Sequence, residues 1–234
     1  MKYKRILLKL SGESFMGDDG YSIDYQKIHH FATEVKSAVD RKVQVGIVIG
    51  GGNIFRGVKG AGRGFDRRQG DYMGMLATVI NSMALQTVLE ELGVNAKVMS
   101  ALKIEGICEK IFFKNAIAHL EKGLVVIFSA GTGNPFFTTD SGAALRAVEI
   151  GADLLLKGTR VDGVYTADPE KDSTATKYDT ITFDECYEKK LNIMDLTAFT
   201  VCKENNMPIC VYNANVPGKL GRILDGEKEG TLVH

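Results

Sequence analysis

The sequence predicts an α/β protein in which a mainly parallel sheet carries helices on both faces. Three observations lead there. Short runs rich in leucine and β-branched residues recur along the chain and end in Gly or Ser clusters, as strands buried on both faces do. Segments with apolar residues at three- and four-residue spacing separate these runs, so strands alternate with helices and imply parallel crossovers. The chain has 234 residues, 44% hydrophobic and 25% charged, which is enough for a buried core and excludes disordered and fibrous classes.

Residues 5–10 form the first strand. Asp24 can cap the helix marked by Ile28, Phe31, Ala32, Val35 and Val39, with Ile23 and Ile28 as a hydrophobic staple. Residues 43–49 make the next strand. Met73, Leu76, Ile80, Met83, Val88 and Leu92 mark a longer helix that starts near Asp71 and stops at Gly93. Residues 94–99 and 124–128 read as further strands, and Ala143, Leu145, Val148 and Ile150 predict a helix from about Asp140 to Gly151. A strand at 154–156 follows. Thr182 and Glu185 have capping-box spacing ahead of a short helix, Asp195 can cap a segment running to Glu204, and Pro208 introduces a strand at 209–212. There is no Ser- or Pro-rich linker and no internal repeat, so a single domain with two lobes is expected, dividing near residues 150–160.

The 29 basic and 29 acidic side chains cancel, which removes the electrostatic footprint of a general nucleic-acid or anionic-membrane binder. The apolar runs fall short of the roughly 20 residues of a membrane span, and Lys9 interrupts the only N-terminal candidate for a secretory segment. A cytoplasmic protein is expected. Cys108, Cys186, Cys202 and Cys210 show no C-x-x-C spacing and read as buried thiols.

In an open α/β sheet, ligands collect beyond the carboxyl ends of the strands. Four glycine-bearing turns sit at such ends: Lys9-Leu10-Ser11-Gly12, Gly50-Gly51-Gly52-Asn53, Gly131-Thr132-Gly133-Asn134 and Lys157-Gly158-Thr159. Glycine lets successive backbone N–H groups approach a phosphate closely. The P-loop and dinucleotide fingerprints are missing, as are metal-binding His and Cys spacings, so no protein-held metal is expected. His29, His30 and His119 fall on helices, where packing or surface roles are expected. Lys9 differs, because a lysine closing an apolar strand is costly unless its ammonium reaches a cleft or an anion. In the basic stretch 56–68, Arg56 stands close behind the triple glycine and is the member expected to reach a phosphate. Lys59, Arg67 and Arg68 read as a solvated surface. Asp71 and Asp140 each stand at a predicted helix start, where capping and function are equally open. A cleft with phosphate-binding turns, a lysine, an arginine and no covalent nucleophile suits phosphoryl transfer. The residues by themselves reach a kinase or nucleotide-binding protein of unknown acceptor.

Five blocks stand out: Lys9-Leu-Ser-Gly-Glu13, Val48-Ile-Gly-Gly-Gly-Asn-Ile-Phe-Arg-Gly57, the run from Gly70 to Asn81, Gly131-Thr-Gly-Asn-Pro-Phe-Phe-Thr-Thr-Asp140 and Val161-Asp-Gly-Val-Tyr-Thr-Ala-Asp-Pro169. Together they resemble the bacterial UMP kinases of the amino-acid kinase family. The resemblance implies a three-layer α/β/α sandwich, with an acceptor lobe over about 1–155 and an ATP lobe over about 156–234. It also implies transfer of the ATP γ-phosphoryl to UMP, with Mg2+ on the nucleotide, in pyrimidine nucleotide synthesis. By position it assigns Lys9, Leu10, Ser11, Gly12, Gly52, Arg56, Thr159, Tyr165 and Asp168 to ATP. It assigns Gly51, Asp71, Thr132, Gly133, Asn134, Pro135, Phe136, Phe137, Thr138 and Thr139 to UMP. Lys9, Arg56 and Asp140 would be catalytic, with Asp140 organising the lysines.

Sister kinases carry a second lysine near where this chain has Ile193-Met-Asp-Leu-Thr197, which leaves open whether Lys157 takes that place. The family's GTP-responsive stretch aligns with Gly17, Asp18, Asp19, Gly20, Tyr21 and Ser22, and Ser22 stands where glycine is common. A homohexamer inhibited by UTP is a further expectation of the resemblance. The alternatives are a sister kinase with a carboxylate acceptor and a non-catalytic nucleotide sensor on the same fold. An aspartate such as Asp71 suits ribose hydroxyls and would repel a carboxylate.

Overall fold

The computed structural model describes residues 2–17, 22–55 and 66–234. Its sheet is built from β1 (Arg5–Leu10), β2 (Gln44–Ile49), β3 (Ala96–Ser100), β4 (Glu109–Lys110), β5 (Val125–Ser129), β6 (Leu154–Thr159), β7 (Thr180–Ile181), β8 (Ile209–Asn213) and β9 (Thr231–Val233). The strand order is β4-β3-β5-β2-β1-β6-β8-β9-β7. All pairings are parallel except β8 with β9. Strand β1 is central, with β2 on one side and β6 on the other. The short strands β4, β7 and β9 escape the sequence reading because two or three residues carry no periodic signal.

Side chains alternate across the sheet and divide the core in two. Ile6, Leu8 and Leu10 join the core under α1 (Tyr25–Asp40), α2 (Arg67–Glu91) and α7 (Lys219–Asp225). Leu7 joins the core under α3 (Phe113–Glu121), α4 (Thr139–Glu149), α5 (Phe183–Glu188) and α6 (Leu196–Glu204). This is the expected three-layer sandwich. Cys186, Cys202 and Cys210 are buried free thiols, pushed up by burial to about 11, about 12 and about 12.

Helix ends follow local chemistry. Asp24 accepts from the Lys27 N–H, Thr182 and Glu185 form the capping box, and Asp195 accepts from the Ala198 N–H, as the spacing predicts. Two expected caps are corrected. Helix α2 begins at Arg67, because Asp66 accepts from the Arg68 and Gln69 N–H groups; Asp71 therefore lies inside the helix. The first turn is polar, so apolar periodicity could not reveal it. Helix α4 is capped by Thr138, which accepts from the Asp140 and Ser141 N–H groups and leaves the Asp140 carboxylate available.

Of the residues that mark α2 in the sequence, Leu76, Ile80 and Met83 are exposed, while Val88 is buried together with Met75, Val79, Leu85 and Leu89. Both stripes are apolar, so the sequence cannot tell which one meets the sheet. Helix α2 is also long and apolar enough to cross a membrane by length and composition, and half of that window is buried in the fold.

Candidate active site

Lys9 and Lys157 are register partners on neighbouring parallel strands, and both point to the α4 side of the sheet. Burial on that face brings their ammonium groups together at the carboxyl ends of β1 and β6. Asp140, in the first turn of α4, stands between them. Its Oδ1 is 2.6 Å from Lys9 Nζ and its Oδ2 is 2.8 Å from Lys157 Nζ, with side chains only 11%, 14% and 15% exposed for Lys9, Asp140 and Lys157. Burial alone would raise the Asp140 carboxyl, but the two lysine charges outweigh it and hold the group below the usual carboxylate range. Burial lowers the Lys157 ammonium against the pull of Asp140, and the Lys9 charge adds to the lowering. Lys157 also donates to the Ile193 carbonyl, so it reaches the segment where the sister kinases' second lysine stands.

A cavity of about 710 Å³ opens beside this cluster, and Lys9, Asp140, Gly51, Gly52, Asp71, Thr132, Asn134 and Phe137 are among its lining residues. Two glycine turns meet next to it, one of them lining it through Gly51 and Gly52. A Cβ on Gly12 would lie 2.5 Å from the Gly50 carbonyl oxygen and 2.7 Å from the Gly52 nitrogen, so only glycine permits this approach.

Asp71 is set by its neighbours. Both of its oxygens accept from Arg67 Nε at 2.9 Å, and Oδ2 accepts from the Phe136 N–H at 2.8 Å. The Arg67 guanidinium lies 5.7 Å from the Phe136 ring centre, and Arg67 lines the cavity. This corrects its reading as a solvated surface residue, since helical i,i+4 spacing aims it at Asp71. The 131–139 segment is therefore moored to α2, with Gly131, Gly133 and Phe136 at positive φ. Its other end is tied by Asp195, whose carboxylate accepts from the Thr138 and Ser141 hydroxyls. Asp195 lines the cavity as well. Sequence reasoning found Asp195 only as a cap; no local signal joins it to Thr138, far away along the chain.

Not every expected residue lines this cavity. Leu10 is buried, and Ser11 caps the short 3-10 turn Gly12–Phe15. Gly133 packs on Ala101, while Phe136 is exposed at the rim beside Pro135. Thr139 is the first residue of α4 and lines the cavity beside Thr138. Thr159, the last residue of β6, and Tyr165 and Asp168 in the segment after it do not line this cavity. Thr159 Oγ1 donates to the Val161 carbonyl at 2.6 Å, Tyr165 donates to Asp162, and Asp168 accepts from the Glu170 N–H at 3.0 Å. Arg56 lies outside the described residues, as do Asp18, Asp19, Gly20 and Tyr21. Of the remaining effector stretch, Gly17 is half-buried and Ser22 takes a φ of 73°, the conformation glycine favours.

The model of the Amino acid kinase family matches residues 4–213. The chain belongs to the amino acid kinase family. Among the family's members, the uridylate kinase of Parabacteroides distasonis is 60% identical over 233 residues, covering 100% of this chain and 99% of that one. The uridylate kinase of Porphyromonas gingivalis is 60% identical over 231 residues, covering 99% and 97%. The crystal structure of UMP kinase from Bacillus anthracis superposes with a TM-score of 0.96 at 38% identity, covering 99% of this chain and 96% of that one.

Proposed function

We propose that this amino-acid kinase transfers the γ-phosphoryl group of ATP to UMP, giving UDP and ADP, in pyrimidine nucleotide synthesis. The observation that carries the reading is the Lys9–Asp140–Lys157 cluster, two buried ammonium groups on one carboxylate, of which Lys9 and Asp140 line a cavity shared with Asp71 and the 131–139 segment. The uridylate kinases that match the whole chain support it.

The chemistry follows from the charges. A UMP phosphate oxygen forms the new bond to the γ-phosphorus as the bond to the β,γ-bridging oxygen breaks and ADP departs with that electron pair. The attacking phosphate is already anionic near neutral pH, so no general base is required. Charge spreads over the transferring oxygens, and Lys9 and Lys157 offset it from fixed positions because Asp140 holds them in place beforehand. Gly12, Gly51 and Gly52 offer backbone N–H groups to the phosphates. Asp71 accepts from the ribose, and the backbone of 132–138 reads the uracil edge.

The residues present fit a nucleotide-borne Mg2+. Among the described residues no group of three His, Cys, Asp or Glu side chains could hold an ion, and both Asp140 oxygens face lysines. Mg2+ would ride on the ATP phosphates and supply charge neutralisation there. We assign residues 1–155 to the acceptor lobe and 156–234, with Thr159, Tyr165 and Asp168, to the ATP lobe. Arg56 is proposed as a phosphate contact. We further propose a cytoplasmic homohexamer, with the uncovered Leu76, Ile80 and Met83 stripe as one subunit contact, and GTP and UTP as effectors.

A coupled assay of ADP release with UMP, CMP, dUMP and N-acetylglutamate tests the reading. Uracil and cytosine exchange donor and acceptor at two edge positions, so CMP should be disfavoured roughly 10²- to 10⁴-fold in kcat/KM. Comparable turnover of N-acetylglutamate would favour a sister kinase. Nucleotide binding without turnover of any acceptor would favour a sensor.

A further inference from the structure

Beneath the Gly50–Gly52 turn lies a polar pair that the chemistry above does not use. Asn53 and Asn81 are 3% and 0% exposed. Asn81 Nδ2 donates to Asn53 Oδ1 at 2.8 Å, and Asn53 Nδ2 donates back to Asn81 Oδ1 at 3.1 Å. The second hydrogen of each amide goes to a backbone carbonyl: Asn81 to Gly50 at 2.7 Å, and Asn53 to Ser22 at 3.0 Å. Every amide hydrogen is therefore satisfied inside the protein. Two apolar side chains could fill the same space without desolvating two amides, so what the pair adds is orientation.

We propose that Asn81, held by Asn53, is the positioning residue of the phosphate-facing turn; the proposal rests on the kinase reading above. Gly50 is fixed from both sides, since its N–H donates to the Leu10 carbonyl at 3.0 Å and its own carbonyl accepts from Asn81. With the peptide units on both sides of Gly50 held, Gly51 and Gly52 are presented to the cavity. Asn53 Oδ1 would also lie 2.8 Å from a Cβ on Gly12, so the same pair sets the spacing between the two glycine turns. Asn53 further ties this turn to the backbone at Ser22. Neither asparagine faces the reacting atoms; both act through the glycine backbone.

Asn81→Asp tests this, because the carboxylate keeps the size and still accepts from Asn53 but cannot donate to the Gly50 carbonyl. Measured where circular dichroism shows the variant folded, its Kd for UMP should rise about 10-fold or more and kcat should fall by a similar factor. The inhibition constant of uridine, which lacks the phosphate, should stay within about twofold, since the nucleoside contacts do not involve this turn. Equal losses for UMP and uridine would make the pair a packing element and overturn the proposal, as would UMP affinity and kcat within about twofold of the unaltered protein. If Asn81→Asp does not fold, Asn53→Ser carries the same comparison: it frees Asn81, so a loss confined to the phosphorylated ligand is expected and an unchanged Kd for UMP overturns it. Should the unaltered chain prove not to use UMP, ADP against adenosine keeps the lock testable separately from the acceptor assignment.

Discussion

Replacing Asp140 by Asn removes the one negative charge between two buried ammonium groups and leaves the local shape almost unchanged. At the observed 2.6 and 2.8 Å, an effective dielectric of about 20 makes each ion pair worth roughly 6 kcal/mol of gross attraction, most of it spent on desolvation. Removing one partner of a buried pair costs about 3–5 kcal/mol, because the remaining charge stays desolvated, and here two are stranded side by side. For a chain of this size that corresponds to a Tm lower by roughly 6–20 °C. The pH dependence has a definite sign. The Asp140 carboxyl lies below its ordinary value, so its contribution is present above the ordinary aspartate range and is lost as pH falls through the lowered folded value; Asp140→Asn should lack that acid-side step. In the proposed reaction ATP brings negative charge to the same two lysines, so saturating ATP should raise the Tm of the variant by more than that of the unaltered protein. At the same time kcat should fall about 10²-fold or more, since the lysines are no longer preorganised. Thermal unfolding by circular dichroism with and without ATP, together with coupled ADP release, measures both. A Tm within about 2 °C of the unaltered protein and an unchanged kcat would show that Asp140 does not hold the lysines and would refute the reasoning.

Lys9→Met should lower kcat about 10²-fold or more while UMP affinity survives, as calorimetry alongside steady-state kinetics would show; near-normal kcat would return Lys9 to a structural role. Asp71→Asn should chiefly raise the KM for UMP and raise that for dUMP less, and because Asp66 rather than Asp71 caps α2, no helix-cap loss should appear in thermal unfolding. Equal losses for the two acceptors would remove the ribose role. Burial lowers the Lys157 ammonium, so kcat should decline on the alkaline side below the ordinary lysine range as that proton is lost. Lys157→Arg, charged throughout, should retain reduced activity with that decline displaced upward, and a pH profile with the decline unmoved would assign it to another group.

The layers of the fold were legible in the sequence because they depend on local periods. Alternating apolar runs and 3.6-residue stripes located the six longer strands and most helices, and Asp24, Thr182 and Asp195 marked helix starts through hydrogen bonds that close within three residues. Lys9 was legible as an anomaly, a charge where an apolar residue was due, and the glycine turns showed where backbone must come close to a ligand or to other backbone. The tertiary structure alone decided the partnerships. Lys157 becomes the mate of Lys9 only through the register of β1 with β6, and Asp195 meets Thr138 only because α6 packs beside α4. Asn53 and Asn81 find each other only when α2 lies across the Gly50 turn. The two apolar stripes of α2 were equivalent in sequence, and packing buried one and left the other outside. Local hydrogen bonds and side-chain periods act over a few residues and can be read along the chain, whereas the pairing of distant charges and amides depends on how the sheet and helices come together, which no short window of sequence contains.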